Sequence, residues 1–283
     1  MAQSTMKDRI FLIGNASKSE AVAAFTRLSE WLDSEGLLAG SDLNGCPEKV
    51  NAARPDYVVA LGGDGTILAA GQAMQHRQVP IIGVNIGKLG YLANFDESEI
   101  HQSLGDILTH PDWISRRMIL DVRIESPSGE KWECIALNDC VIRVGDPFRT
   151  VSLDVQIDDR PLCTLIGDGV ILATPTGSTA HNMSCGGPIL EPGVEAIILT
   201  PKCAHSFTHR PVVVLPSSEV CIRVLPQSRG AAAVLDGQRV HSIDPDSRIY
   251  IARSKTVFQL VHNPRRTTWD TLITKLKWGQ DVT

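Results

Sequence analysis

Apolar positions change their spacing once along this chain. In the first third, strand-like and helix-like patterns alternate. Ile10–Ile13 is a short apolar run. Ser17-Lys18-Ser19-Glu20 then has the form of a capping box, and Val22, Phe25, Leu28 and Leu32 share one helical face, with Gly36 as a stop. Tyr57–Leu61 is a second apolar run, residues 66–77 read as helix, and Val79–Val84 is a third strand. Asp96-Glu97-Ser98-Glu99 opens another helix that carries Ile100, Leu104, Ile107 and Leu108. Strands alternating with helices imply a parallel sheet covered by helices.

After about residue 117 the period becomes two. Met118, Leu120, Val122 and Ile124 alternate with other residues, as do Val151, Leu153, Val155 and Ile157, and Val220, Ile222 and Val224. Turn residues at Pro127-Ser128-Gly129 and Asp158-Asp159-Arg160-Pro161 separate the runs. Such alternation predicts mainly antiparallel strands with one buried face. A helix-like interruption falls near 178–185. Trp269, Leu272, Ile273 and Leu276 then follow helical spacing. The reading is an α/β N-terminal domain with a parallel sheet over residues 1–116, a β-rich, sandwich-like domain over 117–264, and a last helix within 265–283 that packs back on the first domain.

At 283 residues the chain fits one large domain or two ordinary ones. With 43% hydrophobic and 21% charged residues it is globular rather than disordered. A formal charge of −5 gives no attraction to nucleic acid or to an anionic membrane. No apolar run approaches the roughly 20 residues of a membrane span, and residues 1–14 carry no secretory core. Seven cysteines, an odd number without a CxxC pair, read as reduced thiols of a cytoplasmic protein.

The first chemical signal is Gly62-Gly63-Asp64-Gly65-Thr66, between a strand and a helix. Glycine lets backbone approach a ligand closely, and a helix N-terminus suits phosphate. An aspartate among phosphates is repelled unless it meets a metal or takes a proton from a hydroxyl, and both are phosphoryl-transfer roles. The same residues also suit a tight turn with Asp64 as N-cap. The stretch Gly83–Lys88 is no P-loop, because Leu89 stands where Ser or Thr is needed. A second signal is the segment GDGVILATPTGSTA at 167–180, followed by His181 to Pro188. Its small residues could wrap a planar ring, with hydroxyls and amides reading the ring edges, or could form only a capped turn. Asn138-Asp139 could meet one ligand at a strand end, or be a plain polar strand end. Cys203, His205 and His209 suit a loop better than a metal site.

Together GGDGT at 62–66, Asn138-Asp139, the 167–180 segment with GGPIL at 186–190, the stretch 83–92, Asp236-Gly237-Gln238 and the tail 269–279 resemble the NAD kinase family over nearly the whole chain. GGDGT alone is shared with lipid kinases and phosphofructokinases. The resemblance implies phosphorylation of the 2′-hydroxyl of the adenosine ribose of NAD, with ATP or polyphosphate as donor and a divalent cation such as Mg²⁺. It implies Asp64 as general base, within a phosphate loop of Gly62, Gly63, Gly65 and Thr66. Asn138 and Asp139 would hold the adenosine. Thr179, Ala180 and Ser184 would line the adenine pocket, with His181, Asn182 and Met183 in the same turn. Asp168 would meet the nicotinamide end, Gln238 would touch the ligand and Arg149 a phosphate. A homodimer or homotetramer with sites completed across subunits is implied. The chain departs from the family pattern in three places. Asp139 replaces Glu, His181 replaces Tyr, and Ile166 stands where many bacterial members carry Arg, a position linked to the choice between NAD and NADH.

Overall fold

A computed structural model describes residues 8–16, 19–87, 90–146 and 149–277. Ser17 and Lys18 of the expected cap, Lys88 and Leu89, and Gly279 of the tail lie outside the described residues. The chain divides into two compact units, Met1–Arg116 with Phe258–Thr283, and Arg117–Val257.

The first unit contains β1 (Ile10–Ile13), α1 (Ser19–Ser34), β2 (Leu38–Asp42), α2 (Pro47–Ala53), β3 (Tyr57–Gly62), α3 (Asp64–Met74), β4 (Ile81–Asn85), β5 (Phe95–Asp96) and α4 (Glu97–Thr109). β1 pairs in parallel with β2 and β3, β3 with β4, and β4 with β5. Val58, Val59, Ala60 and Leu61 are wholly buried, as a strand covered on both faces requires. Phe25, Leu28 and Leu32 of α1 and Ile100, Leu104 and Ile107 of α4 pack with Leu12, Val59, Leu61 and Val84. The face of α1 is centred one step from the expected one: Ala21 and Ala24 are buried while Val22 is only half-buried. Small alanines fit the close approach of the helix to the sheet. Asp96 caps α4 through a reciprocal bond with Glu99.

The second unit opens within β6 (Ile114–Glu125), which pairs with β7 (Lys131–Ala136). There follow β8 (Asp139–Val144), β9 (Val151–Ile157), β10 (Arg160–Gly167), β11 (Gly169–Ala173), α5 (His181–Ser184), β12 (Ile197–Lys202), β13 (Val212–Val214), β14 (Val220–Val224), β15 (Ala231–Leu235), β16 (Arg239–Ile243) and β17 (Arg248–Val261). One sheet contains the neighbours β10-β9-β14-β17 and the other the order β13-β12-β11-β8-β15-β16, all antiparallel. Val151, Leu153, Val155, Val220, Ile222 and Val224 of the first face Ile142, Leu172, Leu199 and Ala233 of the second in one core. This is the expected sandwich. The β9–β10 turn puts Asp158 and Asp159 at φ 50° and 61°, which suits a hairpin turn whose twist matches its strands.

The far face of the second sheet carries Val141, Ile171, Ala173 and Ile198, covered in part by Cys185 and Leu190. That covering segment carries the glycine- and hydroxyl-rich motif. β17 ends in the first unit, where Leu260 pairs in parallel with Ile81. The closing helix α6 (Thr268–Leu276) is capped by Thr267 and Asp270. Of its apolar stripe Leu272 is buried, whereas Trp269, Ile273 and Leu276 are exposed.

Candidate active site

β3 delivers the chain directly into the glycine loop. Gly62 lets the turn close on itself, since a Cβ there would stand 2.3 Å from Thr66 Oγ1. Gly63 and Gly65 are exposed and face open space among the described residues. Gly63, not Asp64, is the N-cap of α3, and no side chain caps this helix. The carboxylate of Asp64 is turned to a different segment. Its Oδ2 accepts from Tyr91 N at 2.8 Å, and its Oδ1 accepts from Leu92 N at 2.9 Å and Ala93 N at 3.3 Å. A carboxylate has about four acceptor positions, so one remains for a ligand. Burial and the Asp64 charge raise the Tyr91 phenol above its usual range, and Lys275 Nζ lies 5.0 Å from the Tyr91 ring centre.

In the second unit a cavity of about 390 Å³ is lined by Asn138, Asp139, Val141, Arg143, Ala180, His181, Val234, Asp236 and Gly237. Asn138 Oδ1 is buried without a partner. Asp139 is 3% exposed, and burial together with the Asp236 charge pushes its carboxyl up to about 7. His181 is held below its ordinary value by partial desolvation and by the Lys202 and Arg143 cations.

The turn beside this cavity is fixed from within. Thr174 Oγ1 donates to Leu137 O at 2.6 Å and accepts from Gly177 N. Ser178 Oγ bonds Pro175 O and accepts from Leu190 N. Gly177 sits against the Asn138 carbonyl, where a Cβ would come within 2.0 Å. The hydroxyls of Thr174 and Ser178 therefore build the turn, which for these two residues is the capped-turn alternative rather than the reading of a ring edge. Thr176 Oγ1 is buried and unbonded. Asn182 is wholly buried: its Nδ2 donates to Ser178 O and Pro188 O, and its Oδ1 accepts from Thr200.

Of the residues singled out from the sequence, Asn138, Asp139, Ala180 and His181 line one cavity. Thr179 and Met183 are half-buried and Ser184 is exposed in the adjoining turn. Asp168, half-exposed, has Lys202 Nζ at 4.0 Å, and Ile166 is exposed on β10. Arg149 and Gln238 are exposed outside the lining. Cys203, His205 and His209 lie in the loop between β12 and β13, and among the described residues no three His, Cys, Asp or Glu side chains gather to hold a metal. The sequence reading missed Arg143 and the aim of Asp236. An Asp-Gly pair between alternating strands signals a hairpin turn, and Asp236 and Gly237 do take φ 51° and 69°; nothing in that signal says where the carboxylate points.

The model of the ATP-NAD kinase N-terminal domain matches residues 42–112, which include the Asp64 loop, and that of the ATP-NAD kinase C-terminal domain matches 137–263, which include the cavity. The NAD kinase of Desulforamulus reducens is 32% identical over 96% of this chain and 98% of its own. The chain belongs to the ATP-NAD kinase family. A second NAD kinase relative, from Trichlorobacter lovleyi, is 37% identical over 83% of each chain. Among solved structures, yeast NADH kinase complexed with NADH shares the fold at a TM-score of 0.86, with 23% identity, 99% of this chain and 90% of that one covered. An NAD kinase from Archaeoglobus fulgidus in complex with ATP gives 0.77 at 25% identity over 95% and 98%. In this ATP-NAD kinase family member, the Asp64 loop and the Asn138 cavity each fall inside one of the two matched domains.

Proposed function

We propose that this chain is an NAD kinase that transfers the γ-phosphoryl group of ATP to the 2′-hydroxyl of the adenosine ribose of NAD, giving NADP and ADP. The observation that carries the reading is the Asp64 carboxylate, held by three successive backbone N–H groups and flanked by two glycines that leave room for a ligand. A ribose hydroxyl is a poor nucleophile. Asp64 takes its proton as the ribose oxygen bonds to phosphorus and the bond from phosphorus to the ADP oxygen breaks. Such a positioned base contributes about 10²–10⁴ in rate, and orientation supplies most of the rest. Gly63 and Gly65, exposed and with open space where a side chain would stand, suit the close approach of the phosphate chain.

The cavity of the second unit takes the adenosine part. Its unbonded Asn138 Oδ1 suits the donor amino group of adenine. Asp139, Thr179, Ala180, His181, Met183 and Ser184 surround the nucleoside, with Asn182 holding their turn. Asp168 meets the nicotinamide end, and Gln238 and Arg149 the outer parts of the ligand. Ile166, apolar and exposed, leaves NADH acceptable beside NAD. Mg²⁺, when bound, neutralises the charge of the phosphates. With three acceptor positions of Asp64 filled by backbone N–H groups and the fourth given to the ribose hydroxyl, the cation would keep phosphate and water ligands rather than a protein cage.

The Archaeoglobus relative's complex with ATP supports ATP as donor, with polyphosphate as the alternative. Exposed Phe207, Val212, Val213 and Leu215 on and beside the edge strand β13 support a homodimer or homotetramer. Seven cysteines with no disulfide among them suit the cytoplasm. The test is to incubate the purified protein with NAD, Mg²⁺ and either ATP or polyphosphate, with NADH in parallel, and to measure NADP. A lipid or sugar kinase sharing the loop would leave NAD unchanged, and a non-catalytic sensor would bind it without turnover.

A further inference from the structure

Asp236 sits in the β15–β16 turn, 7% exposed, and its carboxylate is aimed at the start of β8. Oδ2 accepts from Leu137 N at 3.0 Å, and Oδ1 accepts from Asn138 N at 2.7 Å and Asp139 N at 3.1 Å. Asp236 N returns a bond to Asp139 O at 2.9 Å. An anion is the form that accepts three such bonds. The Asp139 carboxyl beside it is 3% exposed, and among the described residues no group donates to it. Two buried carboxylates side by side do not both ionise readily.

We propose that Asp236 is a positioning residue for the dinucleotide: it holds the Leu137–Asp139 backbone at the cavity and, as the charged member of a carboxylate pair, keeps the single shared proton on Asp139, so that NAD binds with Asp139 neutral. The inference rests on the NAD kinase reading of this cavity. A neutral Asp139 offers an O–H donor to a ligand oxygen or ring nitrogen. An ionised one sets a second negative charge beside Asp236 against a ligand that already carries an anionic pyrophosphate.

The other groups here whose values are displaced move away from neutrality. The Cys140 and Cys185 thiols near the pair are pushed up by burial and stay neutral. His181 is pushed down by partial desolvation and by the Lys202 and Arg143 cations. The carboxyl of Asp139, raised by burial and by Asp236, is the group left to titrate as pH rises through neutrality.

The test is calorimetric titration of the full chain with NAD, without a phosphoryl donor, from pH 6 to pH 9. NAD affinity is expected to weaken about tenfold or more across that range. Asp139→Asn, permanently neutral and of the same shape, should flatten the profile to within about twofold. Asp236→Asn should raise the KM for NAD with little change in kcat, and should move the midpoint of the pH profile downward, because the charge that holds the proton on Asp139 is gone. A loss of structure alone would not shift that midpoint. If Asp236→Asn does not fold, the wild-type and Asp139→Asn profiles decide. A wild-type affinity that is flat with pH, or an Asp236→Asn protein that matches wild type in both KM and midpoint, overturns the proposal. NADP formation assayed on the same preparation separates the two readings: turnover with a flat profile sinks only this inference, and no NAD binding at all sinks the function.

Discussion

Gly90 abuts the carboxylate of Asp64 so closely that a Cβ on residue 90 would stand 1.9 Å from Oδ1 and 2.6 Å from Cγ. The three residues after Gly90 give their N–H groups to that carboxylate. A bare backbone at 90 is what lets the chain curl over Asp64 and present three donors in sequence. The aspartate of the glycine loop is thus held by a segment roughly a quarter of a hundred residues further along the chain rather than by its own helix.

Gly90→Ala tests this cradle directly. The added methyl must displace the carboxylate, and a misplacement of about 1 Å at a reacting group costs on the order of 10² in rate. The expected result is a fall in kcat for NADP formation of about that size, with NAD affinity unchanged in calorimetry. A kcat within about threefold of wild type would mean that the carboxylate position does not matter to the chemistry.

Asp64→Asn keeps the shape but removes the base. Loss of kcat by about 10²–10⁴ is expected, with the dissociation constant for NAD within about threefold. The new amide sets one N–H against a backbone N–H of the 91–93 segment, so a modest drop in melting temperature accompanies it, roughly 1–3 kcal/mol for an unmet donor. Steady-state kinetics with a parallel thermal melt separates the two effects.

Much of this was legible in the sequence where burial follows a simple period. Val151, Leu153 and Val155 alternate and are buried as read, and Tyr57–Leu61 is a strand buried from both sides. The edge strand Leu38–Asp42 has no such signal, because an edge carries mixed residues, and the short helix Pro47–Ala53 buries only Val50. The helical stripe of Trp269, Ile273 and Leu276 was regular, yet those three are exposed. The motifs located the Asp64 loop and the Asn138 strand. They did not disclose that Asp64 and Asp236 each grip three consecutive amides, because those partners are distant in sequence and have no side-chain signature: a backbone N–H looks the same at every residue.

The buried Asp139 carboxyl gives a pH dependence of stability with a definite sign. Its folded value of about 7 lies above the unfolded value of about 3.9. The folded state therefore binds the proton more tightly between those values, and its contribution to stability is fully present at low pH and lost as pH rises to about 7. Asp139→Asn removes that loss. Its melting temperature, relative to wild type, should climb from pH 4.5 to pH 7 and then stay level to pH 9. A constant difference across the whole range in differential scanning fluorimetry would show that Asp139 is ionised in the fold from the start.

Asn182 distinguishes a ligand contact from a scaffold. Its side chain makes three bonds, to Ser178 O, Pro188 O and Thr200 Oγ1, and none of its surface is exposed. Gly187 lies against it, where a Cβ would come within 1.9 Å of Oδ1. Asn182→Ala leaves two carbonyls and a hydroxyl without partners inside the turn, at roughly 1–3 kcal/mol for each buried group left unmet. The melting temperature should fall by several degrees, and it should fall as far without NAD as with saturating NAD. KM for NAD should rise only as far as the loosened turn displaces Ala180 and His181. A variant that melts like wild type but binds NAD at least tenfold more weakly would make Asn182 a direct reader of the dinucleotide.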